Sequence, residues 1–574
     1  MMKHFSNAPP SVFTSPEYLH YIAEYNGDIE AEAYLAPDYY ITIMDEKFAI
    51  ISLKLQNIIE DSFTLSNNPF PSVVYINRLY LYTMQALSPI IAANINLTQI
   101  QPPFFLTGKG VVVGIIDTGI DYLSKEFMND DGTSRILGIW DQTISNPNSS
   151  GNVPFGTVYY KNDIDNAIKA YNEGKDPYEI VPSKDTDGHG TAMSGIIGAK
   201  GINPEIKGAA PDCNFVVVKL AESLALKKAL NPSVPVYDQA FLMMAITYLY
   251  EYTLFTLNKP TVIYLPLGAS LGNHKGDGLL ESFINNICNN KGIAVVTGSG
   301  NQGDSGGHTS GYVDKKDTFK DIQLYISDQQ KYLRLEVWVD KPNICSLEII
   351  SASGETSGIM TALLNREQTI NYIFEKSKVK VKYYLPEALS GDELIEIDMN
   401  YLTPGIWKLR LYPDYILNGS YNIWLQQKGL ALGNTGFTSP DPYGTFTTPY
   451  APQIIKVGAY NQNNFNLVEY SGMAFLYNPS AIDIVAGGVN VTALAPGNKT
   501  MIVNGTCVSA AVVAGASALM FQWGIVDKND PNIYSQKLKT YLSRGTAKRL
   551  NDSYPNAEWG YGVLDMIGVF RYLE

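Results

Sequence analysis

The chain is short of cysteine, of charge, and above all of basic residues. Four cysteines, Cys213, Cys288, Cys345 and Cys507, are scattered through 574 residues. With no Cys-x-x-Cys pair and no histidine beside them at ligand spacing, they exclude the usual zinc sites and disulfide frameworks and read as reduced thiols. Lys and Arg number 42 against 56 Asp and Glu, for a formal net charge of −14. So acidic a chain lacks the basic face that nucleic acid or an anionic membrane needs, and neither is expected as a partner. With 17% charged and 45% hydrophobic residues, disorder is excluded and a large core is available. No stretch reads as long and apolar enough to span a bilayer. The Met1-Met-Lys-His-Phe start carries no apolar segment of a secretory signal, so synthesis in the cytoplasm is expected. No internal repeat, low-complexity tract or Asp-rich loop of EF-hand spacing is present, and no metal or cofactor is expected.

Residues up to about Asp38 read as polar and irregular. Tyr39-Tyr-Ile-Thr-Ile-Met and Phe48-Ala-Ile-Ile-Ser-Leu then alternate as two strands around an Asp45-Glu46-Lys47 turn, and Val73-Val-Tyr-Ile adds a third. These make a small α+β unit ending near Leu87. The segment from Ser88 to Leu106, with Pro89, Pro102 and Pro103, reads as an extended linker, and the domain boundary is placed at residue 96.

From Gly110 the run Gly-Val-Val-Val-Gly-Ile-Ile-Asp-Thr-Gly is a buried central parallel strand ending at Asp117, where α/β sheets place their sites. Similar runs occur at Asn214-Phe-Val-Val-Val-Lys, Thr261-Val-Ile-Tyr-Leu and Gly292-Ile-Ala-Val-Val-Thr-Gly. Helix candidates lie between them at Ala192 to Ala199, Asp238 to Thr256 and Gly278 to Asn290, so an α/β fold with a parallel sheet is expected. After Gly311 the period drops to two, as in Tyr332-Leu-Arg-Leu-Glu-Val-Trp-Val and Ile406-Trp-Lys-Leu-Arg-Leu-Tyr. An antiparallel β-sandwich or jelly roll is thus expected over residues 313–434, inserted between α/β segments 97–312 and 435–574.

Four short motifs carry chemistry. Asp117 ends a buried strand in Ile116-Asp-Thr-Gly. His189 lies in Asp187-Gly-His-Gly-Thr before a helix, and Asn301 in Gly298-Ser-Gly-Asn-Gln-Gly after a strand. Cys507 follows a Gly505-Thr506 turn and opens a helix of small apolar residues, where free N–H groups and the dipole favour a thiolate or an oxyanion. A dinucleotide-binding domain is disfavoured, because no Gly-x-Gly-x-x-Gly follows the first strand.

In order and setting the motifs resemble those of the subtilisin-like serine peptidases. The family's Asp-[Thr/Ser]-Gly, His-Gly-Thr-x-x-[Ser/Ala]-Gly and Gly-Thr-Ser-x-[Ser/Ala] signatures are matched at Asp117, at His189 to Gly195 and at Gly505 to Ser509. Cys507 stands where the family has Ser, and Ala511 where many members have Pro. The resemblance implies that His189 is the general base, Asp117 its orienting carboxylate and Cys507 the nucleophile, with the Asn301 amide and the Cys507 N–H receiving the oxyanion. It also implies that Leu267, Gly268 and Gly300 bind substrate, Leu267 and Gly268 by pairing with an extended peptide. Pro266 beside them has no N–H to contribute.

A narrower resemblance is to the Csp proteases of spore germination. It rests on Leu106-Thr-Gly-Lys-Gly, on Asn129-Asp-Asp-Gly-Thr-Ser-Arg-Ile-Leu-Gly-Ile-Trp-Asp-Gln, and on Val508-Ser-Ala-Ala-Val-Val-Ala-Gly-Ala with Gln522-Trp-Gly. It implies a prodomain that cuts itself free between Leu87 and Gln101 and stays bound non-covalently, a jelly-roll insertion, and deposition in the spore. The protein substrate it implies is the zymogen of a cortex hydrolase. Because some members are pseudoproteases, the alternative is a catalytically silent binding or signalling component. Sulfur at Cys507 implies reduced activity in a site shaped for oxygen, whether natural or introduced.

Overall fold

The computed structural model describes residues 5–15, 17–54, 68–76, 87–145, 153–230 and 232–573. By internal contacts the chain falls into two units, Met1–Gln85 and Ala86–Glu574.

In the larger unit the Val-Val-Gly-Ile-Ile-Asp run forms the strand Val112–Asp117, buried at all six positions. Such a strand must be covered on both faces. It sits inside a nine-stranded sheet, between Thr261–Leu265 and Asn214–Lys219 and parallel to both. Beyond Thr261–Leu265 lie Ile293–Gly298, Ile455–Asn461 and Ile484–Gly487, again parallel. Only the edge pairs are antiparallel, Ile136–Asp141 with Thr157–Tyr160 and Ile455–Asn461 with Asn466–Leu467. Val113 and Ile115 point into the core made with Thr506–Phe521 and His189–Gly198. Val112 and Ile116 point the other way, against Gln239–Tyr250 and Leu279–Cys288. The α/β reading of this region therefore holds.

The helix that starts at Thr506 corrects one expectation. Thr506–Val526 is long and apolar enough to cross a membrane, but most of it is buried inside the protein. It is a core helix, apolar all round because protein surrounds it on every side.

A second correction concerns Ser88 to Leu106, which is helical over Pro89–Ala92 and Ile95–Ile100 rather than extended. Pro89 misled the reading: at the first helical position its missing N–H costs nothing. Ile95 is fully buried, Gln99 donates to the Gly208 and Ala209 carbonyls, and the Met566 N–H donates to the Ala93 carbonyl. Residue 96 is thus within a helix of the larger unit, and the units divide at Gln85.

The smaller unit is a four-stranded antiparallel sheet in the order Tyr39–Ile43, Phe48–Lys54, Tyr18–Tyr25, Val73–Ile76, with helices Pro10–Thr14 and Ile29–Ala33. The stretch before Asp38 is therefore not irregular. Tyr18–Tyr25 escaped the periodicity reading because Ile22 faces outward while Ala23 is buried, which blurs its alternation.

The insertion is a sandwich of six-stranded and four-stranded antiparallel sheets with its own core around Leu335, Val337, Trp407 and Leu409. It is wider than 313–434, since His308–Tyr312 pairs with Ser420–Leu425 and Gly436–Phe437 with Lys320–Ile326. These short edge strands are polar or glycine-bearing and carry little periodic signal.

Leu519, fully buried on the core helix, tests how much this packing contributes. Leu519→Ala is expected to destabilise the larger unit by about 2–5 kcal/mol, read as a lower denaturant midpoint at unchanged slope.

Candidate active site

Asp117 is fixed first. Its side chain is almost fully buried at the strand end, and its Oδ1 accepts the Thr118 N–H at 2.7 Å. Both carboxylate oxygens meet His189 Nδ1, at 2.8 and 2.9 Å. His189 opens the helix His189–Gly198, and the loop before it is tied by Asp185. Asp185 accepts the Gly188 N–H, the Thr191 N–H and hydroxyl, and the Thr118 hydroxyl. Gly190 must be glycine, because a Cβ there would lie 2.1 Å from the Gly119 carbonyl oxygen. The motif thus presses the histidine loop onto the aspartate loop.

Cys507 is the second residue of the core helix and is partly exposed. Its carbonyl accepts the Tyr264 hydroxyl at 2.9 Å, which anchors the first turn to the sheet. Being in the first turn, its own N–H has no intrahelical partner. Gly505 precedes it at φ +137°, and Thr506 belongs to the helix rather than to a turn. A Cβ on Gly505 would stand 2.9 Å from Cys507 Sγ and 3.2 Å from Asn301 Nδ2. The sulfur and the amide nitrogen therefore flank one small space that only glycine leaves open.

Asn301 is held by Thr506, whose N–H and hydroxyl both donate to its Oδ1 at 3.0 and 3.1 Å. Two donors on one atom identify it as the oxygen, so Nδ2 is left as a donor on the side of the sulfur. A cavity of about 210 Å³ is lined by His189, Asn301 and Cys507 and by Leu267, Gly268 and Gly300. With Asp117 on the far side of the His189 ring, all seven residues expected from sequence meet at one place. Among the described residues no group of three or more His, Cys, Asp or Glu is placed to hold a metal.

Burial disfavours a charged His189, but the Asp117 carboxylate, by charge and hydrogen bond, and then the Cys507 sulfur outweigh it. The ring is raised to about 11. A ring that keeps its proton beside a carboxylate can deliver that proton to a leaving group.

Sequence reasoning did not find Thr506, Asp185 or Thr447. Thr447 lines the cavity, and its side chain is wedged between Gly268 and Gly300, 2.3 and 2.4 Å from where their Cβ atoms would be. The Thr of Gly505-Thr506-Cys507 and the Asp two residues before Asp187 were visible signals. Thr447 left none, being brought in from beyond the insertion.

A raised pKa ties stability to pH. His189 binds its proton more tightly folded than unfolded, so its stabilising contribution is complete below about pH 6.5 and is lost as pH climbs through about 11. The stability difference between the native chain and His189→Gln is expected to shrink steadily over that interval, as read from denaturant midpoints at several pH values.

Comparison with known proteins gives the same picture. A search of curated sequences finds no match. The structure of the Clostridium perfringens CspB protease is similar at 29% identity and TM-score 0.75, over 84% of this chain and 98% of that one. A cold adapted subtilisin-like serine proteinase aligns over 84% of this chain and 99% of that one, at 13% identity and TM-score 0.38. The subtilase family model matches residues 108–322 and 430–562, more than half of the chain and the two segments that build the sheet and the cleft. The chain accordingly belongs to the subtilase family of peptidases and has a subtilisin-like peptidase scaffold.

Proposed function

We propose that the protein is an endopeptidase in which Cys507 is the nucleophile, His189 the proton carrier, Asp117 its orienting carboxylate and Asn301 an oxyanion donor. The observation that carries this reading is the 2.8 Å contact from Asp117 to a His189 ring that lines one cavity with Cys507 and Asn301. The ionised sulfur adds to a peptide carbonyl, forming an S–C bond while the electron pair moves to oxygen. Asn301 Nδ2 and the Cys507 N–H accept that charge, each such donor being worth about 10²–10³ in rate. As the C–N bond breaks, His189 gives its proton to the leaving amine. Water then cleaves the thioester, its proton passing to His189 and the sulfur departing as thiolate.

The smaller unit is proposed to be a prodomain released by self-cleavage that stays bound non-covalently. The cut is placed before Leu87 rather than between Leu87 and Gln101, because that interval supplies two helices with buried contacts in the larger unit. It therefore falls in the stretch from Asn77 that joins the units. Similarity to the CspB protease supports a place beside the Csp proteases; a part in spore germination, deposition in the spore and a cortex hydrolase zymogen as substrate are proposed on the motif resemblance alone.

Intact-mass measurement of the purified chain is expected to give two copurifying fragments, the larger beginning between Asn77 and Leu87. Cys507→Ala is expected to remain one chain, and Cys507→Ser to cut faster, by up to about 10²-fold if sulfur displaces the acyl carbon by near an ångström. A thiol-alkylating reagent should label Cys507 ahead of the three buried cysteines. A single uncut chain whose Cys507 resists alkylation would overturn this reading and leave the catalytically silent component in its place.

A further inference from the structure

A second, larger cavity of about 640 Å³ shares Leu267 and Gly268 with the cleft that holds Cys507. Those two residues are the expected partners of a substrate backbone, so a peptide lying on them passes from one cavity into the other. The subtilase segments supply apolar walls from Val236, Leu242, Leu271 and Leu280. The inserted sandwich adds Glu336, Trp338, Glu387 and Leu389 to the lining.

Five carboxylates line this space, Asp238, Asp277, Glu281, Glu336 and Glu387, and no Lys or Arg does. None of the five is in an ion pair among the described residues, and the donors to Glu336 are neutral: the Gly272 N–H at 2.9 Å and the Trp338 indole at 3.0 Å. Glu281 and Glu336 are more than nine-tenths buried, and burial pushes both carboxyls up. Arg334 and Lys456 act on Glu336 and Glu281 through charge without forming an ion pair with them, and Lys275 pairs with Asp340 and Asp392. Arg334 pairs with Glu396 at 2.7 Å, and Lys456 donates to the Thr447 and Pro449 carbonyls. His274 also lines the cavity, but burial lowers it to about 3, so it brings no charge. Apolar walls carrying unpaired carboxylates fit a long apolar stem that ends in a cation.

We propose that this cavity receives a lysine or arginine side chain of the substrate, from the acyl side of the scissile bond, and that the inserted sandwich thereby takes part in substrate choice. The inference rests on the peptidase reading for the direction of the peptide.

The test uses the full chain and fluorescent peptides of one sequence, with Lys, norleucine or Glu placed in turn at each of the four positions before the cut and the two after it. Binding is read by anisotropy and cleavage by chromatography. Lys at one upstream position is expected to bind about tenfold tighter than norleucine, the worth of one partly buried ion pair, and Glu to bind weakest. Glu336→Gln and Glu281→Gln keep shape and hydrogen-bond acceptors, and each is expected to reduce the Lys preference while leaving norleucine affinity unchanged. Added salt should reduce it as well. Equal affinity for the three peptides, a preference confined to positions after the cut, or one that survives both variants would overturn the inference. Lys-selective binding without cleavage would instead count against the peptidase reading alone, and cleavage blind to the upstream residue against the cavity assignment alone.

Discussion

The contact between the Asp117 carboxylate and His189 Nδ1 sets conditions that much of the larger unit meets. It requires an almost fully buried carboxylate at the end of a strand, and the Thr118 N–H supplies part of the compensation. It also requires a second loop at a fixed distance, and Asp185 supplies that by holding four donors from both loops. A buried carboxylate that gathers this many donors is held rigidly in place. The histidine ring is then directed by structure that costs nothing further when the ring becomes charged.

The opposite side of the cleft follows a similar logic with neutral groups. Thr506 uses two donors on one oxygen of Asn301, so the amide cannot turn over without losing both. Gly505 keeps the sulfur and the amide nitrogen close to a shared space, and Tyr264 holds the helix start from beneath. Preorganisation here comes from a single helix N-terminus packed so deeply that its first turn has no freedom to adjust.

These constraints explain what the sequence made legible. Asp117, His189, Asn301 and Cys507 lie in short motifs whose glycines and threonines are needed locally, so the pattern survives in the letters. The parallel strands were legible because burial on both faces leaves continuous β-branched runs, as at Val112–Asp117. Pro89 and Ile22 defeated local reading for different reasons. One residue is a helix breaker placed where breaking costs nothing, and the other an apolar side chain facing outward. Thr447 and the acidic wall were beyond reach because their neighbours come from both sides of an insertion. No spacing rule links Glu281 to Glu336 or Gly268 to Thr447.

Sulfur at residue 507 alters the proton order more than the layout. A hydroxyl nucleophile needs a neutral imidazole waiting beside it, because the proton must leave oxygen during attack. A thiol paired with histidine can lose its proton beforehand, and in the proposed reaction His189, raised to about 11, serves as the acid for the second half. Attack then moves negative charge away from sulfur and onto the carbonyl oxygen, weakening the ion pair just formed. In this scheme the compensation comes from the other side of the cleft, where the Asn301 amide nitrogen and Cys507 Sγ flank the space beside Gly505. In the proposed reaction the burden of stabilising the intermediate thus shifts toward Asn301, and the Thr506 contacts that aim it become as consequential as the relay they face.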